Sequence, residues 1–326
     1  MKTTRVPDAA TERRLDEIRE EAALRGRVEA PGIRAMGAPF PTYYGLPLLK
    51  QPVWSWEVPL YFFVGGAAGA SAVIASVAEL NGSKRRLVRD ARMHAAVGAL
   101  LSAPLLISDL GQPKRFLYML RVFKPQSAMS VGAWTVAAFG MFACGCVFFS
   151  GGQAARLSGQ ARAPVLHWIS TAFGFAAAAT GLVMSTYTGV LVGATSIPAW
   201  STHAALLPAH FGASAVASAT SLLELRGHDE PALNALATLA AAFETATGAM
   251  IEIDRRRASE PLRHGATGTT MRIAGFFSGP VPLLLRLLRK RKAAAASAIL
   301  GSLITRIAWV EAGRVSARDP HAAMES

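Results

Sequence analysis

Four side chains capable of acid–base chemistry or hydrogen bonding stand at the ends of long apolar segments. Glu57 follows the tryptophans of WSWE, Tyr61 lies one turn beyond it, Asp109 opens the turn DLGQP, and Tyr187 belongs to MSTYTG. Ionisable groups at membrane depth are costly and often functional. A carboxylate can exchange protons, and a phenol can donate a hydrogen bond to a carbonyl. A functional interpretation of Asp109 is hydrogen bonding or proton exchange with a lipid-soluble redox ligand, and one of Glu57 is a proton acceptor at a membrane-edge pocket.

Each of these residues also has an ordinary structural role. Glu57 lies in the first turn of a predicted helix, where the helix dipole favours a carboxylate. Asp109 can cap its turn or pair with Lys114 or Arg115, and Arg115 would then hold Asp109 ionised. Tyr187 has the amphipathic ring typical of a membrane interface. The residue types alone leave both interpretations open.

The segments between these residues are long enough to cross a bilayer. The chain has 326 residues, of which 52% are hydrophobic and 17% charged, against about 25% charged in soluble domains. A crossing helix needs about 20 apolar residues. The sequence therefore predicts an all-α, polytopic transmembrane bundle of about eight spans in two four-helix halves. The spans lie near 58–78, 91–108, 128–149, 163–185, 204–223, 231–251, 271–285 and 293–312.

The composition of the spans favours close helix packing. They are rich in Ala, Gly and Ser, and Gly65 and Gly69 are spaced so that helices can approach closely. The run near 271–285 contains Pro280, Pro282 and Arg286, so it is a candidate re-entrant segment. Residues 53–326 are predicted to form the membrane domain. Residues 1–52 are predicted to be an extramembrane tail with a short charged helix at 9–26.

The net charge and the cysteine count exclude two function classes. The charge of +13 would suggest nucleic acid in a soluble protein, but here Lys and Arg crowd the predicted loops, as in membrane proteins. We therefore expect no nucleic-acid partner. Cys144 and Cys146 are too few for an iron–sulfur cluster, which takes about four ligands. Haem would require a histidine pair such as His94 and His167, and we expect neither metal nor haem in this chain.

Alternation of the spans places the polar residues unequally. One end, here the tryptophan-rich end, collects Trp54, Trp56, Glu57, Tyr61, Asp109, Arg115, Trp134, Tyr187, Trp200 and His203. The opposite end has Glu79, Arg86, His94, His167 and Glu224, with Trp168 the single tryptophan placed there. An interfacial aromatic belt should be similar on both sides. The asymmetry favours a site at the tryptophan-rich end.

Two further charges are predicted to lie inside spans. Glu244 falls within the sixth span and Arg306 within the eighth, each about 10 Å from the same membrane face at helical rise. They are interpreted either as an intramembrane ion pair or as a step in a proton path. A transporter would also use buried charges, with inverted repeats and broken midplane helices, but no convincing repeat is present.

Four motifs together resemble the NrfD/PsrC family of polysulfide-reductase membrane subunits. They are WSWEVPLYFFVGGAAGA, DLGQPKRFLYML, KPQSAMSVGAW and YTGVLVGATSIPAW, and the resemblance covers roughly residues 43–205. It implies an eight-helix protein of the cell membrane that exchanges electrons with menaquinone or ubiquinone. It also implies a four-cluster ferredoxin-like iron–sulfur partner subunit and, in many members, a molybdopterin catalytic subunit, so this chain would not be catalytic on its own.

The resemblance also implies a place for the quinone, within the first four helices near the face that docks the iron–sulfur subunit. Glu57 and Asp109 are then the predicted proton-handling residues. The predicted quinone-contacting residues are Trp56, Tyr61, Arg115 and Tyr187. Two alternatives remain: a structural membrane anchor without quinone chemistry, and a proton or solute transporter.

Overall fold

The fold is a bundle of α-helices. The computed structural model describes residues 49–110, 114–150 and 163–319, with Glu17 and Ala322, and within these ranges it contains no strand. The all-α prediction is confirmed, whereas the predicted helix at 9–26 lies outside the described residues apart from Glu17. The helices are α1 (Glu57–Leu80), α2 (Arg85–Asp109), α3 (Lys114–Met119), α4 (Ala128–Ser150), α5 (Ala163–Gly193), α6 (Pro198–Ser201), α7 (Leu207–Leu225), α8 (Pro231–Ile253), α9 (Glu260–Arg263), α10 (Gly265–Ser278), α11 (Pro280–Leu287) and α12 (Arg291–Ser316).

Six of the described helices are long and apolar enough to cross a membrane: α1, α2, α4, α5, α8 and α12. The predicted count of eight is therefore not confirmed. The two other candidates differ for physical reasons. Helix α7 has 19 residues but carries several serines, His210 and Glu224. The predicted seventh span is divided into α10 and α11, and neither piece reaches spanning length.

The break between α10 and α11 falls at Gly279. A Cβ atom at this position would lie 2.5 Å from the Thr245 hydroxyl oxygen on α8, so the close approach requires glycine. Arg272 of α10 pairs with Glu252 near the end of α8, while Arg286 of α11 pairs with Glu224 at the far end of α7. The interrupted segment thus runs from the tryptophan-rich end to the opposite end, rather than returning as a re-entrant loop.

The helices of the first half pack through small residues. A Cβ atom at Gly69 would lie 2.3 Å from the Gly181 carbonyl oxygen, and one at Gly65 would lie 2.6 Å from Met184 Cε. The predicted close approach at Gly65 and Gly69 is confirmed. Similarly, Gly98 of α2 leaves room for Ala68 of α1. These seams bring α1 against α2 and α5 and fix where their ends meet.

Aromatic residues join the first half to the second at the tryptophan-rich end. The Trp54 ring stacks on Trp200 with centroids 5.3 Å apart. The Trp200 indole N–H donates a hydrogen bond of 2.8 Å to the Trp309 carbonyl oxygen on α12. Trp200 and Trp309 are completely buried. Packing on both sides therefore holds the start of α1, and this fixes the position of the polar residues at that end.

Candidate functional site: a cleft at the tryptophan-rich end

Asp109 at the end of α2 holds the chain segment that leads into α1. Its Oδ1 atom accepts hydrogen bonds from the Ser55 backbone N–H at 3.0 Å and from the Ser55 hydroxyl at 2.7 Å. The carboxylate thus binds across two helix ends instead of only capping its own turn. Both hydrogen bonds use one oxygen, so Oδ2 remains available at the cleft that Asp109 lines.

A cleft with an empty volume of about 580 Å³ opens between the ends of α1, α2, α4 and α5, with α3 at its rim. Part of this volume is the open mouth of the cleft, and the cavity volume available to water-sized groups is about 60 Å³. Its walls are mainly apolar, and the polar side chains among them are few. The lining residues are Trp54, Val58, Tyr61, Phe62, Leu106, Asp109, Leu110, Phe116, Met119, Met129, Gly132, Ala133, Tyr187 and Leu191.

The two tyrosines of the cleft are in different bonding states. The Tyr187 hydroxyl donates to the Ala128 carbonyl oxygen at the start of α4. Its ring fits against Gly132, where a Cβ atom would lie 2.5 Å from the phenol. Tyr61 is only 2% exposed, yet its hydroxyl makes no hydrogen bond to another described residue. The Tyr61 hydroxyl is therefore the uncommitted donor in the cleft wall.

The structure brings three of the six predicted site residues together: Tyr61, Asp109 and Tyr187 line one cleft. Trp56 is 68% exposed and lies outside the cleft wall, where Trp54 stands instead. Glu57 lies in the first turn of α1, half-buried and not in the wall, and its Oε2 atom is buried without a hydrogen-bond partner. Arg115 belongs to α3, but its side chain is outside the described residues.

Several lining residues were not singled out from the sequence, although a signal was present. Val58 and Phe62 are four residues apart, the spacing that places side chains on one helical face, and Trp54 precedes the helix by the same step. That face was hidden by the uniformly apolar composition of the span. Phe116 and Met119 come from the short α3, whose shape could not be inferred from a charged loop.

The predicted pair of Glu244 and Arg306 is buried but does not form a contact ion pair. Each side chain is 1% exposed. Between them lies α7, whose His210 Nδ1 is 3.8 Å from Glu244 Oε2 and whose Phe211 ring carries the Arg306 guanidinium at 3.7 Å. Among the described residues, no group of three or more His, Cys, Asp or Glu side chains is arranged to hold a metal ion.

The fold and the cleft define a polytopic helical membrane protein with a mostly apolar cleft at one end. The chain matches the family model described as "Polysulphide reductase, NrfD" over residues 48–227, which is more than half of its length. It belongs to this NrfD family. The membership agrees with a membrane subunit of a reductase complex, and no curated protein matches the chain. The match includes every residue of the cleft wall and ends before α8.

Proposed function

We propose that this chain is the quinone- or quinol-reactive membrane anchor subunit of a multi-subunit oxidoreductase. In this role it exchanges electrons with an iron–sulfur partner subunit and is not catalytic by itself. The observation that carries the proposal is the mostly apolar cleft between the ends of α1, α2, α4 and α5, whose wall is interrupted by the Tyr61 hydroxyl and the Asp109 carboxylate.

The residues present fit a quinone headgroup. Its flat ring suits walls made by Trp54, Phe62 and Phe116, because aromatic and aliphatic surfaces bury such rings favourably. Exposed apolar side chains of α3, including Leu117 and Tyr118, offer a path for an isoprenoid tail from the bilayer. Menaquinone and ubiquinone both fit this description. When bound, a quinone supplies reversible transfer of two electrons and two protons.

The chain's own groups would bind, orient and exchange protons. The Tyr61 hydroxyl donates a hydrogen bond to a ligand carbonyl, and the free Oδ2 of Asp109 accepts a proton from a ligand hydroxyl. Ser55 fixes the carboxylate through Oδ1 while this happens. Tyr187 can turn from the Ala128 carbonyl to the ligand, and Glu57 is a second proton acceptor at the same end.

The same end offers a surface for the electron-transfer partner. Lys114, Arg121 and Lys124 are exposed beside the cleft and can meet an acidic face. NrfD-family membership supports a four-cluster ferredoxin-like iron–sulfur subunit here, and a molybdopterin catalytic subunit beyond it. The proposal places residues 53–326 in the cell membrane as a multi-pass domain and residues 1–52 outside the bilayer as a tail.

The test is quinone binding by the purified full-length chain in lipid nanodiscs, titrated with short-chain ubiquinone and menaquinone. Leu106→Trp fills the cleft, whereas Leu100→Trp places the same residue on the exposed face of the same helix. We expect the unmodified chain and Leu100→Trp to bind alike, and Leu106→Trp to lose at least about tenfold in affinity, or roughly 1.4 kcal/mol.

Two results would count against the proposal. Absence of quinone binding by the unmodified chain would favour the structural anchor. Unchanged binding in Leu106→Trp would place the quinone elsewhere. In the assembled complex, Asp109→Asn and Tyr187→Phe should lower quinone-linked turnover while leaving assembly intact, and full turnover in both variants would remove these residues from the mechanism.

A further inference from the structure

The second half of the bundle encloses three buried ionisable side chains. Glu244 of α8, Arg306 of α12 and His210 of α7 are all buried. Glu244 lies near the middle of the 23-residue α8, and so near the middle of the bundle. Glu244 and Arg306 also lie beyond residues 48–227, so the family match does not account for them.

The break between α10 and α11 places a hydroxyl group in contact with this cluster. Helix α10 ends at Ser278, and the Ser278 hydroxyl donates a hydrogen bond of 3.0 Å to Glu244 Oε2. Gly279 makes the turn possible by its close approach to Thr245 of α8. Discontinuous helices that present polar groups at mid-membrane are a recurring way to build an ion site. Here the broken helix presents a hydroxyl to a buried carboxylate.

The hydrogen bonds of His210 leave its second ring nitrogen uncommitted. Thr247 Oγ1 donates to the Phe243 carbonyl oxygen at 3.0 Å, so it accepts from His210 Nδ1, which is also 3.0 Å away. This assignment of the tautomer follows from the network. Nε2 is buried and has no hydrogen-bond partner. It is therefore free to take up a proton.

The charged groups are also incompletely bound. Glu244 Oε1 and two nitrogens of Arg306, Nε and Nη1, are buried without hydrogen-bond partners. Arg306 is held by the Phe211 carbonyl oxygen at 2.8 Å and acts on Glu244 electrostatically from beyond contact distance. By contrast, both oxygens of Glu224 are bound by Arg286 at 2.7 Å. An unpaired buried charge is costly, and the Glu244 carboxylate is less completely bound than that of Glu224.

The Trp309 ring lies between this cluster and the nearest titratable groups on the side of the tryptophan-rich end. His203 and His210 both pack edge-on against Trp309, with centroids 5.7 and 6.2 Å away. His203 Nε2 in turn lies 3.3 Å from Asp254 Oδ2, beyond the end of α8. The cluster also lies close to the cleft. The Phe211 ring contacts Arg306 on one side and Phe62, a residue of the cleft wall, on the other.

We propose that Glu244 and His210 form a buried proton-binding site, with His203 and Asp254 the titratable groups nearest to it on the side of the tryptophan-rich end. The proton is bound at Glu244 Oε1 or at His210 Nε2, and no other bond is made or broken. Arg306 and His203 are the charged or titratable side chains that act on the pair from the neighbouring segments. The proposal goes beyond the quinone function, because the site binds its proton without any ligand in the cleft.

The test is infrared difference spectroscopy of the full-length protein in nanodiscs while the pH is changed, without quinone. We expect a carboxylic-acid C=O band that appears with proton uptake, and its loss in Glu244→Gln. Glu224→Gln is the matched control, since it makes the same change at a buried carboxylate whose oxygens are both paired; the band should remain there. A pH-dependent acid band that survives in Glu244→Gln, or neither an acid band nor an imidazolium band in the unmodified protein, would overturn the proposal.

A milder variant keeps the test decisive if Glu244→Gln does not fold. Ser278→Ala removes one hydrogen bond to Glu244 Oε2 and leaves the charges unchanged. Losing that bond should move the C=O band to a measurably different frequency. Ser297→Ala, which removes a hydroxyl bonded only to the Phe277 carbonyl nearby, should leave the band in place. If the frequency of the acid band is the same in Ser278→Ala as in the unmodified protein, the band does not belong to Glu244 and the proposed site is refuted.

Discussion

The cleft and the buried cluster show two ways of keeping polar groups in one membrane protein. In the cleft, polar groups sit at the boundary, on helices that pack through glycine and alanine, and the space between the helix ends stays open. In the second half, charges lie in the interior and a helix breaks to reach them. Small residues leave space for a proposed ligand between the helix ends, whereas full-sized polar side chains form the proposed proton site in the interior.

Arg286→Met should give the largest effect, because it breaks the best-satisfied charge pair of the second half. Arg286 and Glu224 are each 4% exposed, and Arg286 also donates to Asn234. Removing one partner of a buried pair costs about 3–5 kcal/mol. The free energy of unfolding in mixed micelles should fall by that amount, while quinone affinity at the distant cleft stays unchanged.

The double variant Glu224→Gln with Arg286→Met is the control for this experiment. It removes both charges, so no carboxylate is left buried and unpaired, and it should recover a large part of the loss. If the double variant is as unstable as Arg286→Met, packing of the arginine stem rather than charge pairing holds α11 to α7.

Gly69→Val should have the next largest effect, and it tests the seam that supports the cleft. The added side chain would overlap the Gly181 carbonyl, because a Cβ atom alone would already lie 2.3 Å from it. Overpacking of this kind costs about 1–3 kcal/mol. Gly140→Val is the matched control, since Gly140 has open space around its Cβ position. Equal unfolding free energies for both variants would show that the α1–α5 seam tolerates separation.

Tyr61→Phe should reduce quinone affinity more than Tyr187→Phe, which separates the roles of the two phenols within the cleft. The Tyr61 hydroxyl has no competing hydrogen bond, so its removal should cost about 1 kcal/mol of binding, or roughly fivefold in Kd. The Tyr187 hydroxyl must first leave the Ala128 carbonyl, so its net contribution is smaller. Quinone titration in nanodiscs measures both, and the reverse order would make Tyr187 the main donor.

Sequence reasoning predicted the helical class, the tryptophan-rich end and three cleft residues, because alternation of apolar spans fixes which ends meet. That alternation puts Tyr61, Asp109 and Tyr187 at one end, where they line one cleft. The prediction named Trp56 for this end, but Trp54 lines the cleft; both flank Ser55, and packing on Trp200 distinguishes them. The hydrogen bonds from Ser55 to Asp109 join residues 54 positions apart, and no local pattern encodes them.

The span count was harder to predict for a related reason. Apolar composition identifies a run such as 271–285, but the division at Gly279 depends on Thr245 and Glu244 of another helix. Likewise, Glu244 and Arg306 suggested an ion pair by type and depth. The insertion of α7 between them, with His210 and Phe211, is a tertiary feature that spacing along one chain segment does not contain.

His203→Gln should give the smallest effect. It tests whether the buried imidazole of His203 is neutral in the folded protein. Burial lowers the pKa of His203, and this is only partly offset by the Ala199 carbonyl and by Asp254. The unfolded chain therefore takes up a proton near pH 6.5 while the folded chain does not, so stability falls as the pH drops below about 6.5. Asp254 has a pKa held below its usual range, mainly by its hydrogen bond with Arg256, so its contribution is lost only at more acidic pH.

His203→Gln should flatten the change in unfolding free energy between pH 7 and pH 5, whereas His167→Gln, at an exposed histidine, should not. An equally steep profile in His203→Gln would mean that His203 takes up its proton alike in the folded and the unfolded protein, and burial would then not keep the folded imidazole neutral.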